Sequence, residues 1–485
     1  MYIGIDIGTS SVKSVLIGDD QAIVASASVP LEVSRPHSGW SEQNPGDWVS
    51  ATFASLDELA RTHPKEMSAV TGIGLSGQMH GATLLGADDK PLRPAILWND
   101  VRSSAECAEL EARCPTSRDI AGNIAMPGFT APKLLWVKNN EPEVFAQVRK
   151  VLLPKDYVRL HLVGDYVSDM SDAAGTLWLD VKARAWSDAL LAATHLTRDH
   201  MPWLVEGTDV SGRLKPDLAA RFGMAGQPVV AGGGGDNAAS AIGMGTVTPG
   251  AAFASLGTSG VLFVSNDRFS PNTHGAVHAF CHALPDTWHQ MGVILSATDS
   301  LNWLSGLLKI SASDLAGALG DKVTAPSPVL FLPYLSGERT PHNDAAVRGA
   351  FVGLAHQSDA ATMTQAVLEG VAFAFADCLR VLGDAGTTVP RAAAIGGGSR
   401  SNVWLQIMAN VLGVPLDVPR DGDFGGAFGA ARLGLIAATG ADPLSIATPP
   451  PTERTIDPEP ALVAAYADRY ARYRAFYPAV HAACA

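Results

Sequence analysis

The chain has 485 residues, enough for two hydrophobic cores, and its 47% hydrophobic and 17% charged residues are those of an ordinary globular protein. A formal net charge of −13 with no run of Lys or Arg excludes a general binder of nucleic acid or anionic membranes, which needs a basic face. Five cysteines without a C-x-x-C pair indicate neither a disulfide framework nor a zinc site, so a reducing, cytoplasmic setting without a membrane span is expected.

Tyr2 to Ile17 reads as a strand, a tight turn and a returning strand. Ile3, Ile5 and Ile7 alternate with Gly4 and Asp6, Gly8-Thr9-Ser10 breaks the run, and Val12 to Ile17 resumes it. A turn of glycine and small hydroxyl residues leaves backbone N–H groups directed outward, an array that suits phosphate. Asp6, two residues before the turn, stands where a carboxylate beside bound phosphates would hold a divalent cation. An ordinary hairpin with a capped turn has the same pattern.

Ala22 to Val29 reads as a third strand. The polar loop Ser34 to Pro45 follows, and Trp40 at its centre is either a lid over a small ligand or a packed anchor. Asn44-Pro45 starts a helix to about Leu59, and Val70 to Leu75 is a strand. Gly72, Gly74 and Gly77 fit the dinucleotide-binding G-x-G-x-x-G spacing, but Ala82 to Leu85 reads as a strand where that turn requires a helix, so a Rossmann unit is rejected. Met79 and His80 stand at a strand end, where α/β folds place ligand contacts, although a lone histidine also serves structure. Residues 105–163 read as mostly helical with a break at 125–128, and 167–175 as a polar loop of small residues.

Gln227 to Ser240 reads as a buried strand, the four-glycine turn Gly232 to Gly235, and a helix beginning at Asp236. Asp236 either caps that helix or is presented, ionised, at the edge of a cleft. Four glycines exceed what a cap needs and would let a substrate approach the backbone. From residue 246 the opening pattern restarts: Ala251 to Val264 repeats strand, turn and strand around Gly257-Thr258-Ser259, with Ser255 in the place of Asp6. Similarity at half the chain length indicates duplicated domains, 1–245 and 246–485, whose phosphate-cradling turns face one another across a nucleotide. Residues 293–309 and 363–381 read as apolar helices. Arg391 to Trp404 reads as a strand, a triple-glycine loop suited to adenine and ribose, and a helix start. Asp423 to Ala431 opens a small-residue helix expected to pack beside that loop, and an amphipathic helix runs from Ala461.

Both turns, the Gly232 to Asn237 turn and the Gly396 to Arg400 loop occur together with Gly77-Gln-Met-His-Gly81, Leu92 to Asp100, Met126 to Trp136, Ser168 to Thr176 and Leu332 to His342. With these in place the chain resembles the FGGY family of carbohydrate kinases from Tyr2 to about Gly434. The resemblance implies an α/β, two-domain, actin-like ATPase (ribonuclease H-like) fold with a central nucleotide cleft. Its N-terminal domain would bind sugar and its C-terminal domain nucleotide. The implied ligands are ATP, Mg2+ and D-xylulose, with Asp236 as the base for the 5-hydroxyl and Asp6 as a catalytic and metal-side carboxylate. Met79, His80, Trp40 and Asn237 are implied at the sugar. Gly8, Thr9, Ser10, Lys13, Gly257 and Thr258 are implied at the phosphates, and Gly397, Gly398 and Asn402 at adenosine. A homodimer is expected on family analogy alone. One departure is visible: four glycines precede the base where three are expected, which bears on its aim. The absence of G-x-x-x-x-G-K-[ST] excludes a P-loop kinase. A kinase for another ketose or polyol and an actin-like chaperone or filament protein are the competing readings.

Overall fold

The computed structural model describes residues 1–420 and 424–484, so Asp423 lies outside the described residues. Two mixed sheets carry the fold. In the first, β1 (Tyr2–Ile7) pairs antiparallel with β2 (Ser11–Ile17), which pairs antiparallel with β3 (Ile23–Pro30). On the other side of β1 lies the parallel β4 (Gly72–Gly77). β5 (Val210–Arg213) and β6 (Val229–Ala231) extend the sheet, β6 parallel to β4 and β5 antiparallel at the edge, and the two-residue strand Gly234–Gly235 pairs parallel with Ser76 and Gly77 at the end of β4.

The second sheet contains β7 (Ala252–Leu256), β8 (Gly260–Asn266), β9 (His278–Cys281), β10 (Trp288–Ile294), β11 (Ala392–Ile395), β12 (Leu416–Pro419) and β13 (Thr452–Ile456). The hairpin β7–β8 is flanked by antiparallel β10 on one side and parallel β11 on the other, followed by parallel β12 and antiparallel β13. In spatial order this repeats the six main strands of the first sheet, with β9 added beyond β10 and no counterpart to Gly234–Gly235 among the described residues. The repeated turn in the sequence is therefore the visible part of a duplicated topology.

Alternation along β1 decides how the halves join. Ile3, Ile5 and Ile7 are fully buried in one core with Trp48 and Leu56 of α1 (Pro45–Thr62). The opposite face is glycine: Gly4 lies beside Gly74, and Gly72 beside Tyr2. A Cβ at Gly4 or Gly74 would lie 1.8 Å from the carbonyl oxygen of Ala427 or Ala430, so a helix of the second half rests directly on these strands. The glycine spacing that imitates a nucleotide motif is a landing surface for that helix.

Several local expectations are corrected. The stretch 105–163 contains the strand Lys150–Leu152 ahead of helix α2 (Pro154–Val163). Residues 167–175 form the strand Val167–Asp169 and the short helix α3 (Met170–Ala174), because the Asp169 carboxylate caps it, accepting from Ser171 N at 2.8 Å and Asp172 N at 3.2 Å. Asp236 is the first residue of α4 (Asp236–Met244) and Gly235 its cap. Val293 and Ile294 belong to β10, so that helix, α5 (Thr298–Leu308), starts later than expected. The small-residue helix α6 (Gly426–Thr439) packs on β1, β4 and α4, while Phe424 and Gly425 just before it share a cavity wall with Gly396 and Gly397. The tail helix α7 (Pro460–Cys484) faces inward through tyrosines: Tyr466 donates to Glu369 at 2.9 Å and Tyr470 to Asp377 at 2.6 Å. No helix among the described residues is long and apolar enough to cross a membrane.

Candidate active site

The two turns are tied back by different devices. In the first, Gly8 N donates to Ser11 O at 3.0 Å, and the Thr9 hydroxyl donates to Gln78 Oε1 at 2.9 Å while accepting from Trp98 Nε1 at 3.0 Å. Gln43 Nε2 holds the Thr9 carbonyl at 2.8 Å. These bonds use the Thr9 side chain and carbonyl, and the amides of Thr9 and Ser10 have no protein partner among the described residues. Two adjacent amides without a protein partner are what an anion-binding turn would require. In the second turn the Gly257 carbonyl accepts from Thr298 N at 2.9 Å and Thr298 Oγ1 at 2.8 Å, and the Thr258 carbonyl from Ala297 N at 2.8 Å. Thr258 and Ser259 stay exposed.

The asymmetry between the copies has a local cause. Asp6 lies between Lys13 on β2 and Ser76 on β4, and Ser76 Oγ donates to Asp6 Oδ1 at 2.8 Å. Ser255 lies between Val261 and Ile395, which offer a charge nothing. Burial raises the Asp6 carboxyl above its ordinary value, against the opposing pull of Ser76 and Lys13.

Asp236 stands at the start of α4, its Oδ1 accepting from Asn237 N at 2.7 Å and Asn237 Nδ2 at 2.9 Å. Burial, and then the nearby Asp6 charge, push its carboxyl up to about 6, a range useful to a general base near neutrality. Its place on the first turn of α4 thus goes with a raised carboxyl that is still mostly ionised at neutral pH. Two carboxylates that repel one another offer hard oxygen donors beside the first turn, a donor set that fits a Mg2+ ion completing its shell with other oxygen ligands. Among the described residues no group of three or more His, Cys, Asp or Glu side chains makes a complete protein cage for a metal.

Met79 and His80 come next to this acid. Met79 is buried, and a Cβ on Gly235 would lie 2.9 Å from its Cγ. His80 takes a left-handed backbone conformation, φ 69°, held at its carbonyl by Lys133 Nζ at 2.9 Å and Thr130 Oγ1 at 3.1 Å. Its Nδ1 lies 2.6 Å from the Gly175 carbonyl, which only accepts, so Nδ1 carries the proton and Nε2 keeps a lone pair. Burial, with Lys133 nearby, lowers the ring to about 3, so it stays neutral at physiological pH. Phe129 and Phe280 flank it, at 4.7 Å and 6.3 Å between ring centroids.

A cavity of about 660 Å³ lies beside Gly397, Gly398 and Asn402, with Asn302, Leu301 and Gly317 on its other walls. Within the triple-glycine loop the three positions differ. Gly396 and Gly398 are required by contact with Leu256, whereas a Cβ on Gly397 would meet nothing within 4 Å, so Gly397 is the residue open to a ring. The four-glycine turn is also packed more than expected: Cβ atoms on Gly232 and Gly233 would lie 2.0 Å and 2.2 Å from the carbonyl oxygens of Glu206 and Leu75. Trp40 is clamped by Arg102, 3.6 Å from its ring centroid, and by the edge of Trp136 at 5.3 Å, which is the packed-anchor arrangement. The exposed indole at the first turn is Trp98, 44% accessible. Trp98, Gln78 and Lys133 sit inside stretches noted for other reasons; only their partners across the fold reveal what they do.

Duplicated sheets, each opening on a hairpin with a Gly-Thr-Ser turn, and an open cavity beside the second sheet define a two-domain fold of the actin-like ATPase class. Models of the FGGY family of carbohydrate kinases match the chain with the N-terminal domain over residues 1–243 and the C-terminal domain over 252–438. A xylulose kinase of Escherichia coli (strain K12) is 50% identical over 481 residues, 98% of each chain. Among solved structures, a xyloylose kinase from Brucella ovis matches with 60% identity and a TM-score of 0.98, and a xylulose kinase from Rhodospirillum rubrum with 29% identity and 0.92, each over 99% of both chains. The chain belongs to the FGGY family of carbohydrate kinases.

Proposed function

We propose that the protein is an ATP-dependent kinase that transfers the γ-phosphoryl group of ATP to the 5-hydroxyl of D-xylulose, giving D-xylulose 5-phosphate. The observation that carries this is the position of Asp236, a carboxylate with raised proton affinity beside Asp6 on one side and the Met79 and His80 pair on the other. Residues 1–245 would bind the sugar and 246–485 the nucleotide, with the base at the seam.

In this reading Asp236 takes the proton of the sugar's 5-hydroxyl as that oxygen attacks phosphorus, and the neutral His80 orients the sugar through Nε2. Asn237 holds the base by its own amide and side chain, and its second amide proton remains for the sugar. The Thr9 and Ser10 amides, with Gly8, Lys13, Gly257 and Thr258, grip the phosphate tail, and Gly397, Gly398 and Asn402 line the adenosine cavity. Mg2+, when bound beside Asp6, neutralises charge developing on the transferred phosphoryl group.

The test is ATP consumption across a panel of pentuloses and polyols, with the phosphate position of the product determined. Fastest turnover with D-xylulose and phosphate on its 5-oxygen is expected; preference for ribulose or glycerol would redirect the assignment, and ADP release indifferent to sugar would remove it. Asp6→Asn is expected to raise the Mg2+ concentration needed for half-maximal rate at least about tenfold, the scale on which removing one charge-assisted contact acts. An unchanged Mg2+ dependence would count against the metal-side role.

A further inference from the structure

The turn that delivers Asp236 consists of Gly232 to Gly235, which has no side chains of its own to anchor it; the amides of Gly232 and Gly233 donate to the carbonyls of Asp209 and Gly207, Gly234 and Gly235 pair with Ser76 and Gly77, and the residue that follows has to be placed to within a fraction of an ångström. Both ends of this turn are gripped by one fully buried cluster. At its start, the Arg159 guanidinium of α2 donates to the carbonyl of Ala231 at 2.6 Å and to that of Gly232. At its end, Gly235 N donates to Ser171 Oγ of α3 at 3.1 Å.

The two grips are mechanically joined. Ser171 Oγ donates in turn to Asp169, and the Asp169 carboxylate lies 2.8 Å from Lys155 Nζ. Lys155 Nζ also contacts Asp156 at 2.7 Å and Asp172 at 2.9 Å, and Asp156 lies 3.8 Å from Arg159 Nε. All five charged side chains are inaccessible to solvent. Burial pushes the Asp172 carboxyl well above its usual range, against the pull of Lys155. Such a cluster is a costly way to gain stability, which directs attention to what it holds in place. The far end of α3 leads to Gly175, whose carbonyl holds the His80 ring, so one block carries both the base and the sugar-facing histidine.

Resting on the kinase reading above, we propose that Ser171 and Arg159 are positioning residues that clamp the glycine turn at its two ends and thereby aim Asp236, with Lys155 and Asp169 as the strut between them. The clamp makes a fourth glycine tolerable: an extra residue does not misdirect the base when both ends of the turn are also bonded to one rigid block.

The test compares Ser171→Ala with the parent on whichever panel sugar the parent phosphorylates fastest. Removing the Gly235 acceptor is expected to lower kcat at least about tenfold, since an ångström of misplacement costs up to about a hundredfold. KM for ATP and for the sugar should stay within about twofold, because the adenosine cavity and the His80 grip are untouched. Amide exchange at Gly235 should accelerate at least about tenfold with little change at Gly175, a readout that needs no turnover. Arg159→Lys, which keeps the charge and loses the fork, should reproduce the kcat loss if Ser171→Ala does not fold. A kcat within twofold of the parent, or a loss of activity with Gly235 exchange unchanged, would overturn the clamp. If the parent prefers a sugar other than xylulose, the substrate assignment fails while the variant-to-parent ratio still judges the clamp.

Discussion

Asp236→Ala is expected to lower the rate of sugar phosphorylation by about 10²- to 10⁴-fold while leaving nucleotide affinity within a few-fold, because general-base catalysis contributes on that scale and the adenosine cavity lies elsewhere. Steady-state kinetics with a separate nucleotide-binding measurement checks both parts, and near-normal turnover would remove the base assignment. The parent should show a matching pH dependence. Burial and the Asp6 charge raise the carboxyl from its ordinary 3.8 to about 6, and only the ionised form accepts a proton, so kcat/KM should fall as pH drops through about 6. Stability has the opposite sign. A carboxyl whose folded pKa is raised loses stability as pH rises from the unfolded to the folded value, and above both it bears the full cost. Asp236→Asn should therefore unfold at a higher temperature than the parent at pH 7 without ligands, by a gain on the order of 1–3 kcal/mol that disappears below about pH 4. An inactive variant that is also more stable would mark a group held ionised for chemistry at a cost to the fold.

Gly429→Ala is expected to be the most damaging substitution away from the chemistry. A Cβ there would lie 1.7 Å from the carbonyl oxygen of Ala239 and 2.9 Å from Gly243 N, both backbone atoms of α4, so no side chain can move aside. The crossing of α4 and α6 is where the two halves meet, and α4 begins with Asp236. The loss should be about 3 kcal/mol or more, seen as a fall in soluble yield and melting temperature, with a drop in kcat in whatever folds. Gly383→Ala supplies the contrast. It lies inside the helix Ala360–Asp384 with nothing within 4 Å of its Cβ, and should stabilise by about 0.5–1 kcal/mol through helix propensity alone. Equal effects from the two substitutions would contradict this account of the joint.

Much of the site was legible before any coordinates. The first hairpin and its copy, the Asp6 to Ser255 difference, the strand end bearing Met79 and His80, and the glycine loops are local patterns set by alternation and by residues that tolerate unusual backbone, and each lies where the pattern puts it. The errors are also local in origin. Residues 167–175 are short and polar, and a five-residue helix capped by its own Asp169 carries no apolar period to announce it. Val293 and Ile294 continue into helical spacing, and only pairing with β8 makes them strand.

By itself the sequence determined the duplicated hairpins, the residue types at their turns and the single acid after a run of glycines, because these depend on neighbours in the chain. Only the tertiary structure decided that Gly4, Gly72 and Gly74 receive a helix rather than a nucleotide, that Trp40 is packed while Trp98 reaches the turn, and that a buried cluster on α2 and α3 grips the turn before Asp236. Those facts depend on atoms brought together from distant parts of the chain, and the energies that select them, close packing and the pairing of buried charge, have no counterpart in local spacing.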